Sequence, residues 1–153
     1  MSSVLFVCTA NRFRSPLASA IFMKLLGENG RSEGFKVNDA GTWTVGGLPV
    51  TREALIIGER FGVDLSKHGS KVITAPILTD YQLVIVMETG HKEAIMNEFP
   101  NARNKVFVLT EIGGGTPYDI PDPYSPGEDA EEISNEIERL LVKYFDQIVQ
   151  LSY

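Results

Sequence analysis

Apolar residues follow two rhythms along this chain. Short continuous runs, Ser3–Val7 (SVLFV) and Gln82–Met87 (QLVIVM), have the length and β-branched content of strands buried on both faces. Phe35–Asp39 and Lys105–Leu109 are shorter candidates of the same kind. Between the runs the spacing changes to three and four. Leu17, Ala18, Ile21, Phe22 and Leu25 form one helical stripe, and a long closing helix is marked by Ile133, Ile137, Leu140, Leu141, Tyr144, Phe145 and Ile148. Thr51–Phe61 reads as a helix with Thr51 as N-cap and Gly62 just past its end. Thr74–Thr79 suits a short helical turn, and Thr89–Glu98 a helix that stops before Pro100. Buried strands alternating with helices predict an α/β three-layer sandwich, a doubly wound parallel sheet covered on both faces. Ligands in such sheets bind beyond the carboxyl ends of the strands, where the winding reverses.

The rest of the chain adds limits. Its 153 residues suit a single domain, 1–153, and there is no repeat, linker or low-complexity tract. No apolar run approaches a membrane span, and Met1–Val7 is too short and unflanked for a secretory leader. A net charge of −6 argues against nucleic acid as partner, because phosphate backbones need clustered Lys and Arg. The single cysteine, Cys8, excludes an internal disulfide and a multi-cysteine zinc site, and its default setting is the reducing cytoplasm. Oligomeric state has no signature.

Chemistry concentrates at the end of the first predicted strand. Cys8 is followed by five residues, then Arg14, Ser15 and Pro16. Ser15 as N-cap with Pro16 in the first turn starts a helix well, so Thr9–Phe13 leads into a helix N-terminus whose free N–H groups favour an anion. A cysteine placed there favours its thiolate form, the nucleophilic one. The planar fork of Arg14 can hold two oxygens of one phosphate, and Ser15 can donate to the departing thiolate. An isolated cysteine is usually an inert packing residue. The whole run of strand, Cys-x5-Arg-Ser-Pro and helix reverses that reading.

These motifs resemble the low-molecular-weight protein tyrosine phosphatases over nearly the whole chain. The resemblance is carried by VCTANRFRSP, DAGTW at 39–43, GVDLSKHGSKVIT at 62–74, DYQLVIVM at 80–87 and DIPDPY at 119–124. It implies a four-stranded sheet of order 2-1-3-4 with a phosphate-binding loop after strand 1. It also implies an active site without metal or cofactor, and phosphotyrosine proteins or small aryl phosphates as substrates, turned over through a phosphocysteine. Cys8 would be the nucleophile, Arg14 the phosphate clamp and Asp122 the general acid and base, with Asp119 in a lesser role if any. Thr9, Ala10, Asn11, Arg12, Phe13 and Ser15 would complete the loop, Asn11 holding its shape and Ser15 stabilising the thiolate. Trp43 and Tyr124 would wall the pocket, and His68 would belong to a network supporting the loop. His91 merely opens a helix and carries no signal.

Three loop positions depart from the family pattern. Ala10 stands where glycine is usual, which is tolerable only if the backbone there is open to ordinary residues. Phe13 replaces a second cysteine, so an oxidised Cys8 has no disulfide partner and should pass to sulfinic acid or a backbone sulfenamide. Arg12 puts a cation at the pocket rim, which favours substrates with extra negative charge and disfavours the guanidinium of phosphoarginine. The alternatives are an arsenate reductase, a phosphocysteine carrier and a silent phospho-residue binder. An internal cysteine relay is excluded by the lone thiol. A carrier leaves DIPDPY unexplained, and a binder does not need Cys8, Arg14 and Asp122 together.

Overall fold

Residues 1–153 are all described in the computed structural model, and they form one parallel sheet with helices on both faces. Its strands are β1 (Ser2–Cys8), β2 (Phe35–Gly41), β3 (Leu83–Val86) and β4 (Val106–Val108), in the order β2-β1-β3-β4. The helices are α1 (Arg14–Glu28), α2 (Arg52–Arg60), α3 (Ala75–Thr79), α4 (Thr89–Glu98), α5 (Ala130–Lys143) and α6 (Phe145–Leu151). The doubly wound reading and the 2-1-3-4 order both hold. No helix is long and apolar enough to cross a membrane.

The period of two along β1 explains the layers. Val4, Phe6 and Cys8 face a core shared with α1, α2, α5 and α6, while Leu5 and Val7 face a second core shared with α3 and α4. Phe22 of α1 is the hub of the larger core, its ring 5.8 Å from Phe6, 5.8 Å from Phe35 and 5.5 Å from Phe145. All seven β1 residues are buried, as expected of a central parallel strand. The chain winds from β1 to β2 on one side and then crosses to β3 on the other, so the switch point lies beyond Cys8.

Two local expectations change. The closing helix is two helices, α5 and α6, broken at Tyr144, where φ and ψ reach −104° and 17°. The apolar stripe continues across the break because both pieces cover the same core, so periodicity alone could not reveal it. Ser15 is not the N-cap of α1 either. The helix begins at Arg14 with Phe13 in the cap position and no side-chain cap. The Ser15 hydroxyl turns to Cys8 instead. Thr51 does cap α2, its Oγ1 accepting the Ala54 N–H at 3.3 Å.

Candidate active site

The loop from Cys8 to Arg14 sits over the carboxyl ends of β1, β2 and β3, and almost every residue of it is tied down separately. Backbone carbonyls of Cys8 and Thr9 accept the N–H groups of Thr42 and Trp43, at 2.9 and 3.0 Å, which sews the loop to the segment after β2. The Arg12 carbonyl accepts the Thr51 N–H at 3.0 Å, which joins the loop to the start of α2. Gly41 makes this closeness possible. A Cβ on it would stand 2.5 Å from the Thr9 carbonyl oxygen.

Asn11 is the pin. It is the only non-glycine residue with positive φ, at 59°, in the left-handed region that asparagine enters more readily than most residues. Its side chain is fully buried and satisfied at both ends. Nδ2 donates to Ser15 Oγ at 2.9 Å and to Asp39 Oδ1 at 2.8 Å, while Oδ1 accepts the Lys71 N–H at 2.9 Å. The Asn11 carbonyl lies 2.7 Å from His68 Nε2, whose other nitrogen is 3.5 Å from Asp39 Oδ1. Lys71 Nζ is 3.7 Å from the same carboxylate oxygen. Ala10 is not among the residues with positive φ, so its methyl group is free of the penalty that a glycine-only conformation would bring.

Ser15 links this scaffold to the thiol. Its Oγ lies 3.0 Å from Cys8 Sγ and 3.3 Å from the Ala40 carbonyl. Because that oxygen already accepts an N–H from Asn11, its own proton is free for sulfur or for the carbonyl. Cys8 is 2% exposed.

Arg14 is held as firmly from the other side. It is 3% exposed, and its Nη1 donates to Glu88 Oε2 at 2.6 Å and to the Ile120 carbonyl at 2.7 Å. Both N–H groups of Nη1 are thereby used, and the Nε and Nη2 donors remain for a ligand. Glu88 lies two residues past β3, the strand next to β1 in the sheet, so Arg14 is braced across the switch point. Arg14 also touches the 119–124 loop at Ile120, whose N–H reaches the Met87 carbonyl at 2.9 Å.

That loop carries Asp122. Its Oδ1 accepts the Tyr124 N–H at 2.9 Å, which leaves Oδ2 to carry a proton. Tyr124 bridges back to α2 by donating its hydroxyl to Thr51 Oγ1 at 2.7 Å, and Phe13 packs edge-on against the tyrosine ring at 6.1 Å. A cavity of about 140 Å³ lies between them, lined by Cys8, Ala10, Arg12, Phe13, Arg14, Thr51, Asp122, Pro123 and Tyr124. Residues separated by more than a hundred positions thus meet in one depression. A larger cavity near Phe99 and Lys105 holds no comparable set of groups.

The remaining candidates fall around it. Thr9, Asn11 and Ser15 belong to the loop but not to the cavity wall. Trp43 bonds the loop through its backbone N–H, is 84% exposed and does not line the cavity, against the expectation that it walls the pocket. Asp119 is a tether: Oδ1 accepts both the backbone N–H (2.8 Å) and the hydroxyl (3.1 Å) of Thr89, at the start of α4. Three residues beside the loop had no role assigned to them from the sequence: Asp39, Glu88 and His91. Glu88 did have a signal, a carboxylate placed directly after the most evident buried strand, where strand ends form the crevice. His91 is buried, contrary to its reading as an unremarkable helix residue.

A thiol at the end of the first strand, an arginine braced across the switch point and a carboxylate on a facing loop meet in one cavity over the strand ends of a doubly wound α/β fold. The chain belongs to the low molecular weight phosphotyrosine protein phosphatase family, whose model matches residues 3–151. A protein-arginine-phosphatase of Geobacillus stearothermophilus is 31% identical over 147 residues, 95% of each chain. The low molecular weight protein-tyrosine-phosphatase Etp of Escherichia coli K12 is 30% identical over 131 residues, 86% of this chain and 83% of that one. Among solved structures, the YwlE arginine phosphatase as a cysteine-to-serine mutant with phosphorylated active-site serine superposes with a TM-score of 0.86. It has 29% identity and 95% of each chain is covered.

Proposed function

We propose that this protein hydrolyses phosphotyrosine-type monoesters without a metal or cofactor, using Cys8 as nucleophile, Arg14 as clamp and Asp122 as acid and base. The observation that carries the reading is the single cavity shared by these three side chains. In the first step the Cys8 thiolate attacks phosphorus. The S–P bond forms, the ester P–O bond breaks, and the proton on Asp122 Oδ2 passes to the departing phenolate. Arg14 holds two phosphoryl oxygens through Nε and Nη2 as charge spreads over them. In the second step Asp122, now a carboxylate, takes a proton from water. The water oxygen bonds to phosphorus, the S–P bond breaks, and its electron pair returns to sulfur, to which the Ser15 hydroxyl at 3.0 Å donates a hydrogen bond. Orthophosphate leaves. The phosphorylated serine named for the arginine-phosphatase structure supports a covalent intermediate on the residue in that place. A free thiol is required throughout, in keeping with a reducing cytoplasmic setting.

Arg12 supports tyrosine over arginine as the phosphorylated residue. Its Nε donates to the Pro49 carbonyl at 2.8 Å, which fixes the side chain on the cavity wall, and its guanidinium is in no ion pair. The cationic guanidinium of phosphoarginine would enter beside it, whereas a neutral phenyl ring meets no such repulsion. The second reading, an arginine phosphatase, rests on the relatives of that name. The test is hydrolysis of para-nitrophenyl phosphate with EDTA present. Turnover should persist in the parent, vanish in Cys8→Ser and fall about 10²- to 10⁴-fold in Asp122→Asn, the range for a lost general acid. No turnover in folded parent protein supports a silent binder, and a stable phosphoenzyme supports a carrier. Equal turnover of phosphoarginine and phosphotyrosine peptides overturns the assignment of substrate.

A further inference from the structure

His91 is a buried imidazole with no part in the steps above, and its two nitrogens reach the start of the loop at Thr9 and the residue that holds Arg14, Glu88. Nδ1 accepts the backbone N–H of Glu88 at 3.1 Å. An accepting Nδ1 carries no proton, so the neutral ring bears its proton on Nε2, which donates to Thr9 Oγ1 at 2.8 Å. Burial, followed by the charge of Arg14, pushes His91 down to about 4 against the opposing charges of Glu88 and Asp119, so this neutral form is the one present at neutral pH. Thr9 is the neighbour of Cys8. Glu88 is the residue that holds Nη1 of Arg14.

Nucleophile and clamp stand at opposite ends of the loop, and one imidazole connects their supports. We propose that His91 is a positioning residue that fixes the separation of Cys8 and Arg14, acting through the Thr9 hydroxyl on one side and the Glu88 backbone on the other. This rests on the phosphatase reading for its catalytic consequence, but the effect on oxyanion binding does not depend on turnover. The neutral tautomer is essential to the arrangement. A proton on Nδ1 would set two N–H groups against each other and would draw Glu88, whose Oε2 is 3.6 Å from Nε2, away from Arg14. Misplacement of a clamp by about 1 Å is enough for a hundredfold loss of rate.

The experiment is a double-mutant cycle of His91→Leu with Thr9→Val, read by kcat for para-nitrophenyl phosphate and, independently, by calorimetric binding of inorganic phosphate. Each single variant should lower kcat about 10- to 100-fold and weaken phosphate binding. The double variant should be no worse than the poorer single one, because both changes break the same connection. His91→Gln, which offers an N–H toward Thr9, should recover part of both losses. If His91→Leu does not fold, the cycle is run with His91→Gln and His91→Asn, the latter keeping an acceptor for the Glu88 N–H. Losses that multiply in the double variant overturn the proposal. So does a lower melting temperature with kcat and phosphate affinity unchanged. If the parent binds phosphate but does not hydrolyse the ester, the functional reading fails while the binding arm still decides the role of His91.

Discussion

Replacing Asn11 by alanine tests whether one amide holds the Cys8–Arg14 loop in shape. The change removes two donors and one acceptor of a fully buried side chain: the bonds to Ser15 Oγ, to Asp39 Oδ1 and from the Lys71 N–H. Their losses are unequal. The Lys71 N–H loses the acceptor that the Asn11 side chain supplies, and an orphaned buried donor costs about 1–3 kcal/mol. Asp39 keeps His68 at 3.5 Å and Lys71 Nζ at 3.7 Å, and Ser15 keeps Cys8, so these two together add about 1 kcal/mol. A further cost of about 1–2 kcal/mol comes from alanine at a φ of 59°. The total is about 3–6 kcal/mol, which for a domain of this size lowers the melting temperature by roughly 6–24 °C. Asn11→Gly suffers the same hydrogen-bond losses without the backbone strain, and should be more stable than Asn11→Ala by about 1 kcal/mol after its greater unfolded-state entropy is counted. Urea unfolding gives both differences, and para-nitrophenyl phosphate turnover gives the catalytic cost, expected to exceed tenfold because Ser15 and its contact with sulfur lose their orientation. An Asn11→Ala protein within 1 kcal/mol of the parent and with unchanged turnover would refute the reasoning, since the loop would then be held by its backbone bonds alone.

Gly41→Ala should lower turnover at least tenfold with a measurable fall in melting temperature. Its Cβ would lie 2.5 Å from the Thr9 carbonyl oxygen and 3.1 Å from Asn11 Cβ, and both belong to the loop. Gly46→Ala, whose nearest neighbour would be the Ser70 carbonyl at 3.8 Å, is the control and should be neutral in both assays. Stability should also fall on the acid side through His91. Its folded-state value of about 4 lies below the unfolded 6.5, so its contribution is complete above pH 6.5 and is lost as the pH falls through that value toward 4. The slope in that window is at most about 1.4 kcal/mol per pH unit for this one group. Urea midpoints measured from pH 7 to 4 should fall less steeply in His91→Gln than in the parent, and parallel curves would refute the assignment.

What could be read from the chain before folding, and what could not, follows from how far each interaction reaches along the sequence. Strand runs and helical stripes are local, so β1, β3, α1, α2 and α4 were placed to within a few residues, and Cys8, Arg14 and Ser15 were found because one short loop holds them all. Asp122 required a family resemblance, since its partners lie more than a hundred residues away. Ser15 shows how a local rule can yield to the site. Its hydroxyl has the chemistry of an N-cap, yet it is committed to Cys8 and Asn11, so α1 begins without a side-chain cap and Arg14 lies inside the first turn. Asp39, Glu88 and His91 were missed for a single reason: their value comes from the parallel register, which sets the ends of β2 and β3 on either side of β1. A carboxylate or imidazole near a strand end, as Asp39 is inside β2, Glu88 just beyond β3 and His91 in the first turn of α4, has no periodicity to betray it. The sheet order converts those positions into neighbours of the loop, with Asp39 bracing Asn11 from the β2 side and Glu88 bracing Arg14 from the β3 side. Cys8 and Arg14, the proposed nucleophile and clamp, are local in sequence, whereas the rigidity that would make them useful is a property of the fold.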